Sequence, residues 1–593
     1  MKNFKSIFIV LLMSISLASA QYNFAFERNL KSGSIQFKGN NIQYTEGIEG
    51  FGLYLNPDNN SQYRLEEISL DGSSDFSIQF WIKTRSKKPM VFLTQKIFKN
   101  KSISSQKNPG WALYSSQGTL AWCIGSGDRR ISYERDNSDK MPLNDGKWHQ
   151  ISLTYNNSLA EVRLYYDGRN FSIYKVGFDF ASQHPLIIGS QKDNFDYVHN
   201  ILPKIKKGRE NLQKYVAAFN NLGAGKVEPE EFISLIVDPE ELYKKKIKAA
   251  ARSSVYIDSK KFKILTEIRK KLYRNPYTVY QNRNLTEIKP VSKLYTLENN
   301  KVVINQKIAH EYTQEVQLHP ADFTLDQLSI HKKTLPPQDI RKSYSKYGQP
   351  YSKNFARHLD TLTVAAWNIW HGGKHWTKEK DGWDSRNRIV EILQKKNVDI
   401  VLMQETYSSG DFIAAEMGYY FATTSDWDYC FQGSNISILS RFPIDELFVS
   451  PEIEFNNVAA KIVLSETQDI YAMSNWYGMN SFSNVFNFHK ARFNQSDSIP
   501  ILFGGDFNAV PHIDGGESPA SKKLMENGFT DAYRSLYPNV KNNPGYTHQS
   551  DRRIDQLYYK GKNLSNISTE LISSWPGGFP SDHFPIIARF VLE

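Results

Sequence analysis

Ile499-Pro500-Ile501-Leu502-Phe503-Gly504-Gly505-Asp506-Phe507-Asn508 is an apolar run that closes on two glycines and two oxygen-bearing side chains. A run this short, bounded by turn residues, reads as a buried strand. Gly504-Gly505 lets backbone or ligand approach closely. Asp506 and Asn508, two apart in extended chain, face the same side. The pattern recurs on both sides of this stretch. Residues 362–368 form a strand entering a glycine-rich loop, and residues 398–403 form a strand ending in Gln404-Glu405. Ser581-Asp582-His583 precedes a last strand over 584–591. Between them, residues 386–395 carry helical spacing with Ile389, Ile392 and Leu393 on one face. Strands alternating with helices predict an α/β domain.

Asn368, Glu405, Asp506, Asn508 and His583 all fall at ends of apolar strands, where sheet-based sites gather loops and ligands. Oxygen donors of this kind suit Mg²⁺, Mn²⁺ or Ca²⁺ rather than a soft metal. A carboxylate-held hard cation beside an imidazole is suited to attack of water on phosphate. Other polar residues read more plainly. Asp399 and Asp531 are expected in caps or surface contacts, and Arg441-Phe442-Pro443 at a strand end. For Arg552-Arg553 a salt bridge is the preferred reading over a phosphate contact.

Six motifs then carry a resemblance. "WNIW" (367–370), "DIVLMQE" (399–405), "SNISILSRFPI" (434–444), "GGDFNAVP" (504–511), "RRIDQLYY" (552–559) and "SDHFPIIARF" (581–590) stand in the order found in the endonuclease/exonuclease/phosphatase, or DNase I-like, superfamily. The resemblance implies an αββα four-layer sandwich over about residues 356–593 and a divalent-metal-dependent phosphoesterase. By that resemblance Glu405 holds the metal, Asn368 supports the metal and scissile phosphate, and Asp582 borders the metal site. Asp506 positions or activates water, and Asn508 stabilises charge on phosphoryl oxygens. Asp555 and His583 form a dyad in which His583 is either general base or proton-bearing phosphate ligand. One departure stands out. Many members carry a His, some a Tyr, after the strand preceding the "GDFN" strand. Here the segment reads Met473-Ser474-Asn475-Trp476-Tyr477. Trp476 carries no transferable proton; Tyr477, or His371 from the neighbouring loop, is the candidate to fill that substrate-contacting place.

Residues 21–195 alternate polar and apolar side chains in short runs separated by turns such as Asp167-Gly168, the signature of an all-β sandwich. "DFSIQFWIKT" (75–84), "DGKWHQISLTY" (145–155), "VRLYYDG" (162–168) and "PLIIGS" (185–190) resemble a laminin-G/concanavalin-type jelly roll. That resemblance implies a glycan or protein ligand. Trp148 and His149 read as structural. Residues 196–355 read as a basic, mixed helical and strand connecting region. Residues 201–280 hold 18 Lys/Arg against 9 Asp/Glu, most of the chain's net +11, and a lysine run there reads as a solvated face. Residues 335–350 read as a plain connector.

Residues 1–20 have a positive start (Lys2, Lys5), an apolar run and Ala18-Ser19-Ala20, the pattern of a cleaved secretory signal. No later run is long and apolar enough to predict a transmembrane helix. Two cysteines, Cys123 and Cys430, exclude a disulfide framework. The chain is thus expected to be a secreted, periplasmic or surface-held phosphodiesterase or phosphatase carrying a binding sandwich. Its substrate is a nucleic acid, phospholipid or sugar phosphate. Trp370, Trp376, Trp383, Trp427, Trp476, Tyr477 and Trp575 supply aromatic faces for it. The alternative is an extracellular adhesion protein whose phosphoesterase-like domain has lost turnover.

Overall fold

The computed structural model describes residues 21–116, 118–134, 141–192, 316–348, 358–373, 385–407, 409–424, 435–450, 456–476 and 482–593, with a few short segments between 217 and 304. The expected signal (1–20), the basic run 201–280 apart from Ala217 and the start of the strand Val279–Gln281, Cys430, Tyr477, Trp376, Trp383 and Trp427 lie outside the described residues.

The N-terminal unit is two facing sheets. Strand Phe76–Lys83 sends Phe76, Ile78, Phe80 and Ile82 into a shared core, as period-2 alternation requires. Trp111, Trp122 and Phe92 meet them from the second sheet. Asp167 and Gly168, both at positive φ (50° and 73°), form the two-residue turn joining Glu161–Tyr166 to Arg169–Lys175. His149 is buried between Asp145 and Asp167, with its two ring nitrogens 3.0 and 2.9 Å from their carboxylates, a structural placement. Cys123 is buried, with Lys96 Nζ 3.8 Å from its Sγ.

The connecting region departs from its sequence reading. Phe323–His331 is a strand of the sandwich, paired on one side with Phe76–Lys83 and on the other with Phe51–Leu55. Its register shifts between Asp326 and Ser329, with Gln327 at φ 49°. The bulge puts core residues Leu325 and Leu328 three apart, which breaks the period-2 pattern that marks a strand. The expected connector also contains a helix, Pro337–Ser345, which starts on a proline that needs no N–H partner. Ile340 of that helix is buried against Tyr165 and Leu335, and Tyr344 stacks on Trp81.

In the C-terminal unit, Thr361–Asn368 and Ile400–Gln404 run parallel, flanked by Ile436–Ser440 and Ile586–Leu592. A second sheet holds Ile444–Phe448, Asn457–Val463, Asp469–Trp476, Ile501–Asp506, Asp555–Lys560 and Thr530–Asp531. Val364, Ala366 and Leu402 of the first sheet share one core with Ala472, Leu502 and Leu557 of the second. Helix Ser385–Lys395 buries Ile389, Ile392 and Leu393 against Trp367 and Met403, on the other face of the first sheet. Phe482–Phe493 and Pro519–Glu526 pack on Met473 and Phe503 of the second.

The two units share a sheet. Arg169–Lys175 of the sandwich pairs in parallel with Tyr420–Thr423, Ser172 opposite Phe421. Among the described residues this makes a single sheet of 14 strands. Tyr174 and Phe421 pack ring to ring, and Arg169 reaches the carbonyl of Gly418.

Candidate active site

Strand pairing sets the site. Asn368 lies opposite Gln404 at the end of the first sheet, so Glu405 follows directly beside it. Asp506 ends its strand between Trp476 on one side and Asp555 on the other. The two sheets share a core, and this brings their carboxylate-bearing ends together.

Asn368, fully buried, joins the two sides: its Nδ2 donates to Glu405 Oε1 at 3.2 Å and to Asp506 Oδ2 at 3.0 Å. Asp506 is further held by the backbone and side-chain N–H of Asn508, at 2.8 and 3.2 Å. His583 Nδ1 lies 2.9 Å from Asp555 Oδ2. Ser581 Oγ accepts the His583 N–H and donates to the Asn368 carbonyl, and Trp367 Nε1 donates to the His583 carbonyl. His583 Nε2 and Asp582 Oδ1 are 3.9 Å apart.

The loop after Asn368 is a left-handed turn. Trp370, His371, Gly372 and Gly373 have φ of 50°, 49°, 70° and 64°. Its N–H groups point inward, Trp370 N–H to Asn368 Oδ1, His371 N–H to Glu405 Oε2 and Gly372 N–H to the Glu405 carbonyl. Glu405, Tyr407 and Asn508 are left-handed as well. Such backbone strain in non-glycine residues clusters where the surrounding structure enforces a functional geometry.

Burial and charge displace the titrations. Burial, reinforced by Asp555 across the ladder, pushes Asp506 up to about 7, with His583 and its hydrogen bonds pulling the other way. Burial disfavours the His583 imidazolium, but Asp555, Asp506 and Asp582 outweigh it and lift the group to about 10. Asp582 is raised, first by burial and also by Glu405.

The sequence-predicted residues Asn368, Glu405, Asp506, Asn508, Asp555, Asp582 and His583 are therefore brought together. Trp476 borders them through its register with Asp506, its backbone held by Asn456. His371 contributes its N–H to Glu405, while its ring stacks on Tyr407. Tyr477 lies outside the described residues. Arg553 is not a phosphate contact: it is buried in ion pairs with Asp514 and Asp531. Asp399 accepts the Thr363 N–H and pairs with Arg441. Sequence reasoning missed His548, whose ring meets His583 edge to face at 4.6 Å. Its only signal was a polar Thr547-His548 pair shortly before the "RRID" segment.

Among the described residues, two sets of three His, Cys, Asp or Glu side chains have donor atoms within 4.8 Å of one another: Asp506, Asp555 and His583, and His548, Asp582 and His583. Neither includes Glu405, whose tie to the rest runs through Asn368 and through the charge of Asp582. A hard cation fits beside Glu405 and Asp582 on the chemistry of those donors. Asp582 Oδ1 is buried without a hydrogen-bond partner among the described residues, and the two carboxylates repel one another.

Comparison with known proteins bears directly on this geometry. Residues 365–583 match the endonuclease/exonuclease/phosphatase family. Residues 57–200 match the concanavalin A-like lectin/glucanases superfamily. All seven site residues fall within the endonuclease/exonuclease/phosphatase match, His583 as its last residue. An uncharacterized protein of Caenorhabditis elegans, F14F9.5, is 22% identical, the match covering 39% of this chain and 91% of that one. Among solved structures, an endonuclease/exonuclease/phosphatase from Bacteroides vulgatus is 18% identical over 40% of this chain and 100% of its own, with TM-score 0.32. The human Nocturnin catalytic domain with bound sulfate is 18% identical over 40% and 97%, with TM-score 0.31.

Proposed function

We propose that the chain is a secreted, divalent-metal-dependent phosphoesterase, a phosphodiesterase or phosphatase, whose endonuclease/exonuclease/phosphatase domain is an αββα sandwich. The carrying observation is the Asn368 amide shared between Glu405 and Asp506, with Asp506 in register with the Asp555 of the Asp555–His583 pair. Glu405 and Asp582, with Asn368 in support, would hold Mg²⁺, Mn²⁺ or Ca²⁺. A bound cation supplies charge stabilisation of the phosphoryl oxygens. The remaining chemistry belongs to the chain. Asp506, poised at about 7, takes the proton of the attacking water. His583, lifted to about 10, stays protonated at neutral pH and is the proton-bearing phosphate ligand rather than the base. Two titratable groups pushed apart in this way divide the acid and base roles between them. Asn508, exposed at the strand end, donates to the phosphoryl oxygens.

Export rests on the residue pattern of 1–20, and Gln21 as the first residue of the exported protein is the outcome that supports it. The sandwich is read as a glycan- or protein-binding module fused to the enzyme. Release of phosphate or cleavage of bis(p-nitrophenyl) phosphate by the purified protein, abolished by chelator and restored by Mg²⁺ or Mn²⁺, tests the activity; chelator-insensitive turnover overturns the metal reading. Trp476 supports one competing reading, an extracellular adhesion protein with an impaired phosphoesterase-like domain. Asp506→Ala leaving every phenotype intact would select it.

A further inference from the structure

His548 stands in the site with no part in the reading above. Residues 547–549 run antiparallel to 582–584: the Gln549 N–H donates to the Asp582 carbonyl at 3.0 Å, and the Phe584 N–H to the Thr547 carbonyl at 2.7 Å. His548 and His583 are the bridge partners between them. Opposed residues of an antiparallel pair send their side chains to the same face, so the two imidazoles meet edge to face, 4.6 Å apart at 66°. Thr547 Oγ1 meanwhile accepts the N–H groups of Ile554 and Asp555. One short strap thus holds both Asp555 and His583 and sets His548 beside them.

The orientation of the ring is fixed by Ser550. Its backbone N–H donates to His548 Nδ1 at 3.1 Å, and its hydroxyl lies 2.6 Å from the same nitrogen. A ring nitrogen that accepts an N–H carries no proton, so the proton of the neutral imidazole sits on Nε2. Nε2 is 3.7 Å from Asp582 Oδ2, and the side chain is 24% exposed. A protonated Nε2 does not ligate a metal, which sets aside a cation between His548, Asp582 and His583 despite their proximity.

We infer that His548 contacts the substrate, donating its Nε2–H to a phosphoryl oxygen beside His583. This rests on the phosphoester reading of the site. The hydrogen bond is to a charged oxygen, in a partly enclosed place, and is of the strong kind.

The test uses the full chain and two measurements: calorimetric titration with inorganic phosphate in the presence of Mg²⁺, and turnover of bis(p-nitrophenyl) phosphate. His548→Phe keeps an aromatic edge against His583 but has no donor; His548→Gln keeps an N–H without the ring. Phe is expected to weaken phosphate binding and lower kcat/KM by about tenfold or more, as for loss of a charge-assisted hydrogen bond. Gln is expected to recover part of both losses. Wild-type affinity and kcat/KM in His548→Phe would overturn the inference and leave the ring a packing element. A His548-dependent phosphate affinity in a protein that turns over no phosphoester would sink the hydrolase reading and leave the contact standing.

Discussion

Asp506 and Asp555 face each other in register across the antiparallel strands Ile501–Asp506 and Asp555–Lys560, two buried carboxylates on adjacent strands. Like charges so placed cannot both ionise cheaply. Asp555 is paired with His583, and Asp506 is the one pushed up to about 7. Asp555→Asn removes both the repulsion and the partner of the imidazole. Turnover is expected to fall about 10² to 10⁴-fold, the range for losing an aligned acid–base group. His583 should titrate well below its present position. Histidine NMR against pH checks the second outcome; a His583 that still titrates near 10 in the variant would contradict the pairing.

The same shifts set a pH dependence of stability. Asp506 and His583 both hold their protons more tightly in the folded chain than at their ordinary values of 3.8 and 6.5. Each therefore stabilises the fold fully below its unfolded value and loses that contribution as pH rises through its folded one. The metal-free protein should weaken from the acid side through about 7 on Asp506, and from about 6.5 through about 10 on His583. Urea unfolding across that range is the measurement. In Asp555→Asn the alkaline part of the decline should shrink.

On the proposed function, a bound cation would reverse the first part of that trend. Binding needs ionised carboxylates, so affinity should fall as Asp582, raised by burial, takes up a proton. The rise in melting temperature on adding Mg²⁺ should be larger at about pH 8 than at about pH 5.5. Asn368→Ala, which strips Glu405 and Asp506 of their shared donor, is expected to shrink that rise. An equal rise in the variant would detach Asn368 from the metal site.

How much of this was legible in the sequence depends on the kind of signal. The strands ending in Asn368, Glu405 and Asp506 announce themselves because a doubly covered strand is a continuous apolar run, and the helix over 386–395 because its apolar face repeats at 3.6 residues. Phe323–His331 was illegible because its bulge offsets Leu325 from Leu328. His548 was illegible for a different reason: a single bridge to His583 leaves no periodicity at all. The parallel pairing of Ser172 with Phe421 joins strands about 250 residues apart, beyond any local pattern.

Arg553 offers a stability test remote from the chemistry. Its guanidinium is buried between Asp514 and Asp531, with Arg534 also on Asp514. Arg553→Met leaves two carboxylates short of a partner, and breaking a buried pair from one side costs about 3 to 5 kcal/mol. Denaturant unfolding should register that loss. A change below about 1 kcal/mol would mean the network behaves as an exposed one.

The shared sheet makes the last prediction. Ile173 packs into the core between the two sheets of the C-terminal unit, and Phe421 into the core that also holds Trp122 and Tyr174 of the sandwich. Each unit thus contributes a side chain to the other's interior, and backbone hydrogen bonds run through the boundary. Calorimetry of the whole chain should give one cooperative transition for the two units rather than two. Phe421→Ala, at a site 4% exposed, should cost about 3 to 5 kcal/mol as a large-to-small core substitution. Its more telling effect is on shape. With the junction weakened, the single transition should separate into two, because each unit retains its own remaining core while the contacts linking them are lost. A wild-type profile already split in two would mean the sandwich and the C-terminal unit melt independently despite the strand pairing.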